Sequence, residues 1–231
     1  GKSVLIFLAG VLVFFTAGYF VLFETELFVI KDISCKTQFG SCDMLAEKVL
    51  QGFKEVNFFS LNVKEVEKGL LGNFKNKRVL LYKVFSSSLK VNVEKRSARV
   101  VLKNGLPGGG GQGYWLVDFD GVVLEKSDNS ALPLIYVGDM HLDFGLRLEE
   151  KMKRAFRLLY KTYQAVPVNW GILDEDFLTV SLSDGAVVKY SLEKDVDVSV
   201  GSLQLVSSAT RMDGEMPKEI DLRYRNAVLK Y

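Results

Sequence analysis

"VLLYKVFSSSLKVNVEK", Val79 to Lys95, decides the fold class. In its second half Leu89, Val91 and Val93 alternate with Lys90, Asn92 and Glu94, the period-two pattern of a strand with one face buried. Its first half, Val79 to Phe85, is a second strand-like run, and Ser86 to Ser88 connect the two. Upstream, "DMLAEKVLQGF" sets Leu45, Ala46, Val49, Leu50 and Phe53 on one helical stripe behind Asp43, a fitting N-cap. In "NVKE", Asn62 can cap a second helix, with Glu65 three residues later as in a capping box and Gly72 as the exit after Leu70 and Leu71. Before both helices, "LFVIKDISC" is rich in Val, Ile and Phe and reads as a strand. The order is therefore β-α-α-β-β, an α+β arrangement.

Further upstream, "VLIFLAGVLVFFTAGYFVLF", Val4 to Phe23, carries no charge. As a helix it would extend roughly 30 Å, the thickness of a hydrocarbon core, and it reads as a transmembrane helix. A cleaved signal peptide would want an apolar region of about 7 to 15 residues and a small-residue exit, and no such exit precedes Glu24. A buried soluble helix is the other alternative. Lys2 precedes the run and Glu24 and Glu26 follow it, and no second apolar run of spanning length occurs downstream. Residues 24 to 231 are therefore expected outside the cytoplasm, on a single-pass protein of the cytoplasmic (inner) membrane.

Cys35 and Cys42 lie in "SCKTQFGSC", where Gly40 lets the chain bend back. An exported compartment favours a disulfide across this loop, with small unpaired core residues as the alternative. Zinc would want four ligands, and the one histidine, His141, lies far along the chain, so no metal site is expected. The 231 residues are 48% hydrophobic, which suits one or two small domains, and a net charge of +2 supplies no basic field for nucleic acid.

"NGLPGGGGQG", Asn104 to Gly113, contains G-x-G-x-x-G at Gly108, Gly110 and Gly113, but a phosphate cradle should open a helix. The next residues, "YWLVDFDG", instead read as a strand ending in an Asp-Gly turn. The segment is therefore expected to be a flexible linker. Beyond it come strands at Tyr114 to Phe119 and Val122 to Glu125, then "LPLIYV". A long helix comes next, with Met152, Ala155, Phe156, Leu159 and Tyr163 inward and Arg147, Lys151, Lys153, Arg154, Arg157 and Lys161 outward. The basic face reads as solvated, with acidic lipid or a protein partner as the alternative. A hairpin turns at Asp184-Gly185 within a mainly antiparallel sheet. "DVDVSVGSLQLVSSATRM" is ambiguous and allows a short helix near Leu203 and Val206.

No catalytic constellation stands out. Asp118 and Asp120 share a strand face, but turn chemistry accounts for Asp120-Gly121. The cluster Asp174 to Asp176 lacks the glycine-bearing pattern of a calcium loop, and His141 has no nucleophile motif beside it. Neither an enzyme activity nor a cofactor nor a small-molecule substrate is expected.

The ordered set of motifs resembles the FtsQ/DivIB family of bacterial cell-division proteins. "FFSLNVKEVEKGLL" and "SSLKVNVEKRSARVVL" look like parts of that family's POTRA domain. "YWLVDFDGVVL", "LPLIYVGD", "LTVSLSDGAVVKYSL" and "IDLRY" look like its second, β-rich domain, in the same order. The glycine-rich linker and the cysteine loop are departures from the family pattern. The resemblance implies a POTRA domain at 24–103 and a β domain with one long helix at 114–231, and the residues themselves place the transmembrane helix at 1–23 and the linker at 104–113. It further implies a non-enzymatic, membrane-anchored divisome scaffold at the septum, binding FtsB-like and FtsL-like single-span proteins and touching the lipid bilayer through Val4 to Phe23. A membrane-tethered POTRA protein of export or secretion is the alternative.

In "EIDLRYRNAVLKY", Glu219 to Tyr231, the residues Ile220, Leu222 and Tyr224 alternate with Asp221, Arg223 and Arg225, so one face can enter the core. Arg225-Asn226 then turns the chain into a last strand, Ala227 to Tyr231. That strand is expected at a sheet edge, where a partner adds a strand of its own. Arg223, Tyr224, Arg225, Ala227, Val228, Leu229, Lys230 and Tyr231 are the expected contact residues, and the FtsQ/DivIB resemblance implies that the added strand is FtsB-like. Capping of the strand by the protein's own loops is the alternative.

Overall fold

The computed structural model describes residues 2–23, 26–109 and 113–231. They form two units, Gly1–Arg96 and Ser97–Tyr231.

In the first unit the expected order is present. Strand β1 (Asp32–Thr37) runs parallel to β4 (Ser88–Lys95), which pairs antiparallel with β3 (Asn76–Val84), and a two-residue strand β2 (Gly40–Ser41) completes a sheet ordered β2-β1-β4-β3. Parallel neighbours cannot be joined by a tight turn, so the chain between β1 and β4 must cross over. Helices α2 (Met44–Gln51) and α3 (Val63–Leu71), followed by β3, make that crossover. Asp43 caps α2 by accepting from the Ala46 amide, and Asn62 caps α3 by accepting from the Lys64 amide. Ala46, Leu50, Val66 and Leu70 of the helices pack on Leu89, Val91 and Val93, the inward set of the opening stretch. Gly69 permits close packing of the pair, because a Cβ there would lie 3.0 Å from a Val49 methyl. The structure joins Cys35 to Cys42 in a disulfide with Cα atoms 5.5 Å apart, an ordinary separation for such a bond.

The expected transmembrane helix is corrected. Residues Lys2–Phe23 do form one helix, α1, yet among the described residues no helix is long and apolar enough to cross a membrane.

The second unit holds a nine-stranded sheet ordered β13-β12-β11-β10-β9-β8-β5-β6-β7. Its strands are β5 (Val100–Asn104), β6 (Tyr114–Val117), β7 (Val123–Ser127), β8 (Leu134–Val137), β9 (Val168–Leu173), β10 (Phe177–Leu182), β11 (Val187–Ser191), β12 (Glu219–Asp221) and β13 (Val228–Lys230). Three neighbouring pairs are parallel, β5 with β8, β8 with β9, and β11 with β12; the other pairs are antiparallel. The placement of β5 changes the expected division of the chain. It pairs with β6 and β8, so the glycine-rich segment connects two strands of one sheet and does not link two halves. The boundary falls after Arg96, ahead of the expected residue 103.

A second long helix also departs from expectation. Helix α4 (Glu150–Ala165) carries the chain from β8 to its parallel neighbour β9, and α5 (Val196–Asp213) does the same from β11 to β12. The stretch read as ambiguous is thus an 18-residue helix. Its Val, Ser, Gly and Thr content is poor helix material, but the parallel β11–β12 pairing demands a crossover. Asp195 caps it by accepting from the amides of Asp197 and Val198, and Gly214, at φ 77, closes it in the left-handed conformation. Along it, Ser199, Ser202 and Thr210 donate to carbonyls one turn back. Val200 and Leu203 of α5 share one core with Ala155, Phe156, Leu158 and Leu159 of α4 and with Leu178, Val180, Val188 and Tyr190 of the strands. The buried stripe of α4 includes Leu158 and Thr162 in place of the expected Tyr163, which is exposed. Thr162 reaches inward because its hydroxyl lies 3.1 Å from the Tyr190 hydroxyl, and burial pushes the Tyr190 phenol well above its usual range.

Leu203 is fully buried and Val198, on the same helix, is exposed. Leu203→Ala is expected to lower unfolding free energy by about 2–5 kcal/mol, and Val198→Ala by no more than about 0.5 kcal/mol. Urea unfolding of the two variants measures the difference.

Candidate functional site

At one end of the nine-stranded sheet lies β13, paired on one side with β12 and with no strand on its other side among the described residues. Its position is set by the sequence between Val187 and Tyr231. Strand β12 sits beside β11 with Glu219, Ile220 and Asp221 opposite Val187, Val188 and Lys189. Strand β13 then returns with Lys230, Leu229 and Val228 opposite the same three residues of β12. Ile220 and Leu222 are buried, and Leu229 packs partly against the core. These apolar anchors fix which face of the last strand turns inward.

Charge fixes the rest. One Glu219 oxygen lies 3.0 Å from the Lys189 ammonium of β11, and the other lies 2.6 Å from the Lys230 ammonium of β13. The two lysines, Lys230 foremost, hold the Glu219 carboxyl below its usual range, and Glu219 in turn pushes Lys230 up. Asp221 is buried and receives a forked Arg223 guanidinium at 2.7 to 3.2 Å, which likewise holds its carboxyl low. The same guanidinium lies 4.9 Å from the centre of the Phe177 ring. Lys194 donates to the Leu222 carbonyl at 2.8 Å and also to the Tyr224 carbonyl.

These grips correct the expected alternation through "EIDLRY". The ladder of β12 ends at Asp221, and residues 222–227 form an irregular connection where a two-residue turn was expected. Lys194 holds two carbonyls of that connection and Arg223 folds back on Asp221, so the chain leaves the ladder early. Tyr224, expected to face the core, is exposed, whereas Asp221, expected outside, is buried. The last strand shortens to Val228–Lys230. Of the expected contact residues, Tyr224, Arg225, Ala227, Val228, Lys230 and Tyr231 are exposed, Arg223 is engaged with Asp221, and Leu229 is partly buried. Glu219, Lys189 and Lys194 were missed. Each reads as an ordinary surface charge in one dimension, and only strand pairing across some 30 residues brings them together.

The other candidates lie apart. Asp118 is buried and accepts from the amides of Asp120 and Val122 at 3.0 and 2.8 Å, so it shapes the β6–β7 turn. Exposed His141 pairs with Asp143 at 2.9 Å. Among the described residues no group of three or more His, Cys, Asp or Glu side chains is placed to hold a metal. A hollow of 540 Å³ beside the start of α4 is lined in part by Lys151, Arg154, Asp176 and Arg223. Its cations are engaged: Lys151 with Asp176 at 4.0 Å, Arg154 with the Leu192 carbonyl, and Arg223 with Asp221. On the basic face of α4, Lys153 pairs with Glu150 and Lys161 with Asp197.

No protein-family model matches the chain, and no curated protein matches it significantly.

The carboxyl shifts set a pH dependence. Both Glu219 and Asp221 have folded pKa values below their unfolded ones, so their contribution is present above about pH 4 and is lost as pH falls through the folded values. Thermal melts of the chain between pH 5 and pH 3 are expected to show falling stability, and Glu219→Gln is expected to flatten part of that slope. An unchanged slope in the variant would remove Glu219 as the tie across β11, β12 and β13.

Proposed function

We propose that this chain is a non-enzymatic scaffold of bacterial cell division whose β13 edge takes up a strand from a partner protein. The observation that carries the reading is the side of β13 that has no strand beside it among the described residues, with Glu219 and Leu229 holding the strand, exposed Val228 within it and exposed Tyr224 and Tyr231 flanking it. A strand edge offers a row of backbone donors and acceptors, and an added strand gains affinity from that row and specificity from alternate side chains. Such an edge is also an aggregation hazard, which a standing partner relieves.

The resemblance of the ordered motifs to the FtsQ/DivIB family supports an FtsB-like partner, accompanied by an FtsL-like one, at the division septum. The Cys35–Cys42 disulfide supports work outside the cytoplasm, since such bonds persist in oxidising compartments. Lipid contact through Val4 to Phe23 belongs to the same reading, because α1 carries exposed Phe14, Phe15, Tyr19 and Phe20.

Removal of residues 227–231 tests the site. Each net backbone bond contributes about 1 kcal/mol, so single substitutions should weaken capture mildly while the truncation should abolish it. Pull-down of an FtsB-like partner is the readout, with circular dichroism confirming that both chains fold. Equal recovery by the two chains would rule the edge out.

A further inference from the structure

The first unit carries an aromatic rim that the strand edge does not use. Tyr19 stacks on Phe23 of α1 with ring centres 4.8 Å apart, and Phe23 lies 6.2 Å from Phe59. The chain of rings continues from Phe59 to Phe28 at 5.2 Å, from Phe28 to Phe85 at 5.9 Å, and from Phe85 to Phe58 at 6.0 Å. Four separate segments, α1, residues 26–28, the loop before α3 and the end of β3, therefore converge on one surface.

Hydrogen bonds between these segments fix the rim. Asn57 donates to the Leu22 carbonyl at 2.7 Å, which ties the end of α1 to the loop, and its side-chain oxygen accepts from the Phe59 amide at 2.8 Å. The Phe58 amide donates to the Phe28 carbonyl at 2.6 Å, and the Lys83 ammonium donates to the Phe58 carbonyl at 2.7 Å. So much ordering would be expected to bury the rings, yet Phe59 and Phe85 are 42% and 73% exposed, and Leu27, next to Phe28 in the chain, is 65% exposed. A fixed, contiguous apolar surface of this kind marks a contact.

We infer that this rim rests in the headgroup and acyl boundary of a lipid bilayer, with Leu27, Phe59 and Phe85 inserted. Continuity names the occupant: the ring chain runs unbroken into α1, whose exposed apolar side chains are the proposed lipid contact. The inference thus rests on that reading and adds that the first unit itself is seated on the membrane by its rim. Interfacial segments place Phe and Leu at this depth. Charge adds little, because exposed Lys31 and Lys54 are matched by exposed Asp32 and Glu55, so uncharged lipid suffices.

The test uses the full chain reconstituted with phosphatidylcholine vesicles. Phe85→Cys and Phe39→Cys are each labelled with the environment-sensitive fluorophore NBD. Phe39 is as exposed as Phe85, at 73%, and lies past the far end of β1 from it, roughly 20 Å away at strand rise. With nitroxide-bearing lipid, the label at 85 is expected to shift to the blue and lose at least half its emission, while the label at 39 behaves as in water. Flotation is scored in parallel. A chain that does not float overturns both the lipid contact of α1 and the rim. A chain that floats with label 85 unquenched overturns the rim alone. A blue shift at 85 that appears in detergent without lipid and grows with protein concentration assigns the rim to a second copy and also overturns the inference.

Discussion

An open β-sheet has to end, and where it ends shapes the second unit. Nine strands lie side by side, and the outer side of β13 has no strand beside it among the described residues. Backbone groups at such an edge must find water or a partner. The ladder with β12 and the packing of Leu229 place β13, and one carboxylate adds a tie: Glu219 takes Lys189 from β11 and Lys230 from β13, so three consecutive strands share it. Asp221 with Arg223, and Lys194 on the Leu222 carbonyl, then fix the connection that delivers the strand to the edge.

Two of the three parallel pairs in this sheet explain the helices. Placing β8 beside β9 and β11 beside β12 in parallel leaves no short route between them, so each pair needs a long connection across a sheet face. Helices α4 and α5 are those connections, and Phe156, Leu159 and Leu203 fill a common core with Val180, Val188 and Tyr190. The burial of Ile220, Leu222 and Leu229 belongs to the same core. The edge strand is therefore anchored in the main core of its unit.

Local patterning made the first unit readable. Asp43 and Asn62 cap the helices they were expected to cap, and Leu89, Val91 and Val93 face inward as their alternation requires. Non-local pairing defeated the reading elsewhere. Nothing near Val100 announces that β5 joins β6 and β8, so a hairpin connection looked like a linker. Helix α5 was obscured by residues of low helix propensity, whose placement is decided by the β11–β12 crossover. At the C-terminal end the strand and its edge position were legible from alternation. The early exit at Asp221 was not, because it depends on Lys194, nearly 30 residues upstream. The apolar run at Val4 to Phe23 is helical as its composition suggests, while its reading as a span is not met among the described residues.

Amide hydrogen exchange across residues 228–230, with and without an FtsB-like partner, tests the central claim most directly. Strand addition at the β13 edge predicts at least tenfold slower exchange there on binding, with the amides of β9 and β10 unchanged. Binding that leaves exchange at 228–230 as it is in the free chain would contradict the account.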